Sequence, residues 1–151
     1  MSDPDRYRIV LDTNVIIGAG SRWVMPDPPA PLPAHFSSLI VHCVTTFHDG
    51  LICEDILLEY AEKLEFFKHP PARIARYLGH LILTCENVEI VQFYCDPRPA
   101  DSDDTIFILC ALNGKAHFLI SEDHHLLGLK DAYDPPKIRT RAEMRQPLAI
   151  G

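Results

Sequence analysis

Asp12, Glu59, Asp104 and Asp123 are the residues whose type and placement could do chemistry together. Each falls where an α/β fold would turn a side chain toward one edge of its sheet. Carboxylates gathered without bases repel one another, which raises at least one pKa. Divalent cations relieve that repulsion, and an oxygen-only donor set favours Mg²⁺ or Mn²⁺. Converging, the four would make a metal-dependent phosphodiesterase site. Scattered, they would be ordinary caps and surface charges.

The elements that must position them follow from apolar patterning. Residues 7–11 read as a short buried strand ending at Asp12. Residues 18–33 carry Gly18, Gly20 and the prolines Pro26, Pro28, Pro29, Pro31 and Pro33, a composition that excludes a regular helix or central strand. This stretch, about 18–34, reads as a surface loop. Phe36, Leu39, Ile40, Cys43, Val44 and Phe47 recur at helical spacing, predicting a helix over 35–48 that Gly50 breaks. A strand over 51–53, helices over 55–68 and about 72–85, and a weakly alternating strand over 88–93 follow.

Asp101, Ser102 and Asp103 look like a helix entrance, and residues 106–112 are apolar on all sides, as a buried helix requires. Asn113-Gly114 ends that helix. Residues 116–120 form another buried strand, 124–129 a short helix and 138–140 a last edge strand. Strands alternating with helices predict an α/β, three-layer α/β/α domain with a central, mostly parallel sheet. The whole chain, 1–151, is expected to be one domain.

In such sheets ligands bind at the carboxyl ends of the strands. Asp12 and Asp123 follow predicted strands and share that edge, while Asp104 opens the buried helix. Glu59 lies at the margin of an apolar arc made by Ile56, Leu57, Tyr60, Ala61, Leu64 and Phe67. Each acid also has a plainer role available. Asp12 could cap a turn with Thr13 and Asn14, Glu59 could pair with Lys63 one turn on, and Asp101, Asp103, Asp104 or Asp123 could cap a helix.

A formal net charge of −7 argues against holding nucleic acid by bulk attraction. It leaves open an enzyme that meets phosphates through bound cations. The five cysteines form no C-x-x-C pair and read as reduced, mostly buried thiols. No histidine or cysteine spacing matches a zinc site, so His124-His125 reads as solvated or core histidines. With no apolar run long enough to span a bilayer and no signal-like start, the expectation is a cytoplasmic, membrane-free protein.

Four segments in order resemble the PIN-domain family. Residues 10–17 (VLDTNVII) resemble its opening strand, and 53–60 (CEDILLEY) its second motif with the helix glutamate. Residues 101–112 (DSDDTIFILCAL) and 119–127 (LISEDHHLL) resemble its third and fourth. The likeness runs from about residue 8 to residue 129. It implies a PIN-like fold and a Mg²⁺- or Mn²⁺-dependent endoribonuclease acting on RNA, of the VapC kind found as toxins of toxin–antitoxin pairs. It also implies an antitoxin protein partner and a homodimer.

Carried over residue by residue, the acidic catalytic and metal-binding site would be Asp12, Glu59, Asp104 and Asp123, with Asn14, Asp101 and Ser121 as auxiliaries. Asp12, Asp104 and Asp123 would hold the principal ion, and Glu59 a second ion or the attacking water. Thr105 and Glu122 depart from the family pattern, which often has Asn or an acid at the first position and glycine at the second. Lys137, Arg139, Arg141 and Arg145 form a cationic group that could guide RNA, with Lys68, Arg73 and Arg76 a second cluster. The rival functions are a non-catalytic RNA- or protein-binding module of the same fold, and a phosphatase with Asp12 as nucleophile. The phosphatase ranks low, because Asn14 stands where such enzymes need a second aspartate.

Overall fold

The computed structural model describes residues 6–20 and 36–150. Its strands are β1 (Arg8–Leu11), β2 (Asp49–Ile52), β3 (Glu86–Asn87), β4 (Phe118–Ile120) and β5 (Lys137–Arg139). They form a parallel sheet in the order β3-β2-β1-β4-β5. Its helices are α1 (Thr13–Gly20), α2 (Phe36–Phe47), α3 (Glu54–Phe66), α4 (Pro71–Thr84), α5 (Thr105–Asn113) and α6 (His124–Leu127).

Successive strand residues point to opposite faces, yet Ile9 and Val10 of central β1 are both fully buried. Both faces of the sheet are therefore covered. Ile9 and Leu11 lie with Ile16 of α1, Tyr60 of α3 and Leu81 of α4 around a gap of only about 10 Å³. On the other face Leu51, the register partner of Val10, meets Gly114 at the end of α5. This is the three-layer α/β/α arrangement expected from the sequence.

The strand order matters for function. From β1 the chain builds outward through β2 to β3, then returns to add β4 and β5 on the opposite side. β1 and β4 therefore flank the switch point of the sheet, where their carboxyl ends diverge into separate loops and leave a crevice. Two buried tyrosines fix this region. Tyr60 donates its hydroxyl proton to the Leu11 carbonyl, and Tyr77 donates to Ile16 O at 3.0 Å.

Several expectations need correction. Thr13–Gly20 is a helix, so Gly18 to Gly20 belong to α1 rather than to the loop expected over 18–34; the rest of that loop lies outside the described residues. Burial of Val15, Ile16 and Ala19 holds the helix despite its glycines. The strand expected over 88–93 is instead the two-residue β3 before it. The backbone amides of Val91 and Gln92 donate to Asn113 Oδ1, at 2.9 and 2.8 Å, instead of to a neighbouring strand. Gly50 lies inside β2, and α2 already ends at Phe47. The helix over 124–129 is shorter than expected, stopping at Leu127. Among the described residues, no helix is long and apolar enough to cross a membrane. All five cysteines are free thiols, with Cys53, Cys95 and Cys110 buried.

Gly114 ends α5, but at φ −85°, so the left-handed conformation is not its reason. A Cβ there would meet Leu51 Cδ1 at 2.8 Å, and the Cys110 carbonyl oxygen and Val88 Cγ2 at 2.9 Å. Gly79, inside α4, would meet nothing within 4 Å. Gly114→Ala should therefore destabilise the fold by about 1–3 kcal/mol. Gly79→Ala should stabilise it by roughly 0.5–1 kcal/mol through the unfolded chain. Urea denaturation of the two variants checks the opposite signs.

Candidate metal centre

The site grows from the register of β1 and β4. Leu11 pairs with Ile120, so the next residues, Asp12 and Ser121, emerge side by side at the carboxyl edge. The Asp12 amide donates to Ile120 O at 2.9 Å. Ser121, fully buried, donates its hydroxyl to Asp12 Oδ2 at 2.6 Å and accepts the Asp123 amide at 2.9 Å. One hydroxyl thus ties the acids after two strands. Asp12 Oδ1 accepts the Thr13 amide at 2.7 Å, so the carboxylate also starts α1.

Asp123 caps α6 by accepting the His125 amide at 2.8 Å. Asp101 caps the single turn of 3-10 helix over Ser102–Asp104, accepting the Asp103 amide at 3.0 Å. The capping roles weighed for Asp101 and Asp123 are real. The capping Asp123 carboxylate also acts by its charge on Asp12 and Asp104.

Asp12 is 3% exposed and Asp104 8%. Burial pushes the Asp12 carboxyl up to about 6; hydrogen bonds from Ser121 and the Thr13 amide oppose the rise, and Asp123 and Glu59 add to it. Asp104 is pushed up to about 7, by burial first and then by Asp123, Asp12 and Asp101, with His125 pulling the other way. Glu59, partly exposed, is raised by burial, lowered by Lys63, and raised again by Glu62, Asp103 and Asp101. Asp12 thus interacts with Glu59, Asp104 and Asp123. The Lys63 charge acts on Glu59 one turn away and opposes the rise without cancelling it. Asp104 Oδ2 and Thr13 Oγ1 are buried without a hydrogen-bond partner.

Mutually repelling, partly desolvated carboxylates with an orphaned oxygen, and no lysine or arginine of the described residues among the main charges acting on Asp12 or Asp104, fit a hard dication. Asp104 feels the charges of Asp123 and Asp12, and Asp12 those of Asp123 and Glu59.

The auxiliaries divide. Ser121 orients Asp12 directly. Asn14 is exposed in the first turn of α1, and the bonds that hold Asp12 among the described residues come from Ser121 and Thr13. Asp101 is exposed and acts through its cap and its charge. Glu122 is engaged elsewhere, since its Oε1 accepts the Arg141 amide at 2.8 Å and the Arg141 Nε at 2.9 Å. Arg141 also donates to Ser37, and the Arg145 guanidinium lies 4.2 Å from the centre of the Phe36 ring. Lys137 is exposed, and Arg139, partly exposed, donates to the Ile138 carbonyl at 3.0 Å. Thr13 reads from the sequence only as a turn partner of Asp12, and His125 as a solvated or core histidine, so neither is assigned to the site there.

These features define a class: an α/β protein whose parallel sheet brings buried acids to its switch point. Residues 8–125 match the family described as PIN domain, and the chain belongs to that family, whose members are generally nucleases. The fold is similar to the crystal structure of VapBC2 from Rickettsia felis bound to a DNA fragment from their promoter, with a TM-score of 0.52 and 12% identity over 87% of this chain and 96% of that one. No curated protein matches the sequence.

The raised carboxyls set a pH dependence for the metal-free fold. Their protonated forms are favoured in the folded state, so their stabilising contribution is complete below the ordinary value of 3.8. It is lost as pH rises through about 6 for Asp12 and about 7 for Asp104. For Asp12, the rise from 3.8 to about 6 corresponds to about 3 kcal/mol. The Tm advantage of Asp12→Asn or Asp104→Asn over the parent should therefore grow between pH 5 and pH 8 in chelator, and saturating Mg²⁺ should erase it by stabilising the parent. A pH-independent difference would show that the acids do not strain the fold.

Proposed function

We infer that this chain is a Mg²⁺- or Mn²⁺-dependent endoribonuclease that hydrolyses RNA phosphodiester bonds. The observation that carries the reading is the pairing of electrostatic strain at Asp12 and Asp104 with the unsatisfied Asp104 Oδ2 in the crevice between β1 and β4. Family membership supports nuclease chemistry. The choice of RNA rests on the family resemblance alone.

In this reading Asp12, Asp104 and Asp123 hold the cation. When bound, it supplies positive charge to the scissile phosphate and makes an attacking water more acidic. Ser121 keeps Asp12 and the start of the Asp123 loop in register. Glu59, at the rim, orients the water and takes up its proton as the oxygen attacks phosphorus and the opposite ester bond breaks. Tyr60, next to Glu59, sets the distance of α3 from β1 through its bond to Leu11. Lys137 and Arg139 lie on the edge strand next to β4 and would receive the RNA backbone.

The narrower role, toxin of a toxin–antitoxin pair with a protein partner, is supported by the likeness to VapBC2; the homodimeric state rests on the family resemblance alone. The single-domain reading of 1–151 is part of the same proposal.

Incubating the purified chain with a mixed RNA pool and Mn²⁺ should give cleavage that chelator removes. Asp12→Asn and Asp104→Asn should each lower the rate by about a hundredfold or more while circular dichroism stays unchanged. Cleavage at the parental rate by either variant would reject the site. RNA binding without cleavage by the parent would favour the binding-module reading instead.

The cationic edge gives a second check. Lys137→Glu with Arg139→Glu should raise the RNA Kd at low salt and reduce the slope of log K against log salt by about 1. An unchanged slope would place the RNA elsewhere.

A further inference from the structure

Asp123, His124 and His125 each offer a ligand atom, and these atoms all lie within 4.8 Å of one another. The sequence alone gave no zinc spacing, because the three are consecutive and an extended chain would splay them. The cap of α6 changes that. Asp123 accepts the His125 amide at 2.8 Å, which folds the turn back on itself. The two imidazoles then lie with ring centres 4.1 Å apart, and His124 Nδ1 stands 3.9 Å from Asp123 Oδ1.

We propose that Asp123, His124 and His125 form a Zn²⁺ site of their own, adjoining the oxygen-only pocket and sharing one carboxylate with it. Imidazole nitrogen suits Zn²⁺, whereas Mg²⁺ prefers oxygen ligands in an octahedron. Three protein ligands with an open fourth position are a usual Zn²⁺ arrangement. Bonds of about 2.0–2.1 Å call for ligand atoms roughly 3.4 Å apart. The set closes to that spacing by side-chain rotation, which is easy for His124, 86% exposed. His125 also acts electrostatically on Asp104, so the two sites adjoin. Zn²⁺ held there would draw Asp123 away from the acids that bind the hard cation. That antagonism rests on the nuclease reading; the binding does not.

The test is calorimetric titration of Zn²⁺ into the full metal-free chain, without RNA. The parent should bind one equivalent. His124→Ala should weaken binding at least about tenfold, and the double variant with His125→Ala further. Asp104→Asn, which damages the oxygen pocket, should retain it. Co²⁺ in place of Zn²⁺ should give d–d absorption without a thiolate charge-transfer band. The proposal is overturned if the parent does not bind Zn²⁺, if the histidine variants bind as tightly as the parent while remaining folded, or if a thiolate band assigns the ion to cysteine. Absence of RNA cleavage would count against the nuclease reading and leave this result standing.

Discussion

The Asp12 carboxylate lies almost wholly out of water at the end of the central strand, facing Asp104 and Asp123. Such a group is expensive to ionise, and the fold relieves the cost only in part, through Ser121 Oγ and the Thr13 amide. The remaining strain is of the kind that a positive charge would relieve. A fold optimised for stability alone would replace one of these acids with a neutral residue. The scaffold instead stiffens around them: β1 is buried on both faces, Tyr60 holds the Leu11 carbonyl, and Tyr77 holds the first helix behind it.

Charge elsewhere is arranged consistently with this centre. The chain carries −7 overall, and two of the arginines near its C-terminus serve internal contacts. Arg141 binds Glu122 and Ser37, tying the loop that carries Asp123 to α2. Arg145 covers Phe36. Glu122, which departs from the family pattern, is thereby neutralised by a partner outside the acidic group. Its negative charge is directed to a structural ion pair at the rim and away from the carboxylates it neighbours in sequence.

Much of this architecture was legible in the sequence. Buried strands announce themselves as short apolar runs, and alternation with helices leaves few alternatives to a parallel sheet. What could not be read was where tertiary contacts override local preference. Thr13–Gly20 has two glycines that weaken a helix, yet Val15, Ile16 and Ala19 gain enough burial to hold it. Residues 88–93 have strand-like alternation, but the Asn113 side chain supplies the acceptor that a neighbouring strand would otherwise provide. The proximity of His125 to Asp104 depends on a cap and a sheet register at once, which linear spacing does not encode.

Ser121 illustrates why the site is readable in outline and not in detail. As a residue type it is ordinary, one serine after an apolar strand, and the family resemblance alone marks it as an auxiliary. Its importance comes from being one step beyond Ile120, whose register partner Leu11 is one step before Asp12. Parallel pairing therefore converts two unrelated positions into neighbours, and a single hydroxyl can then donate to one acid and accept the backbone of the other. Replacing it with alanine would leave Asp12 Oδ2 without its donor and the Asp123 amide without its acceptor, both in a low-dielectric crevice. The acids supply the charge of the site, and the sheet register, through this residue, supplies its geometry.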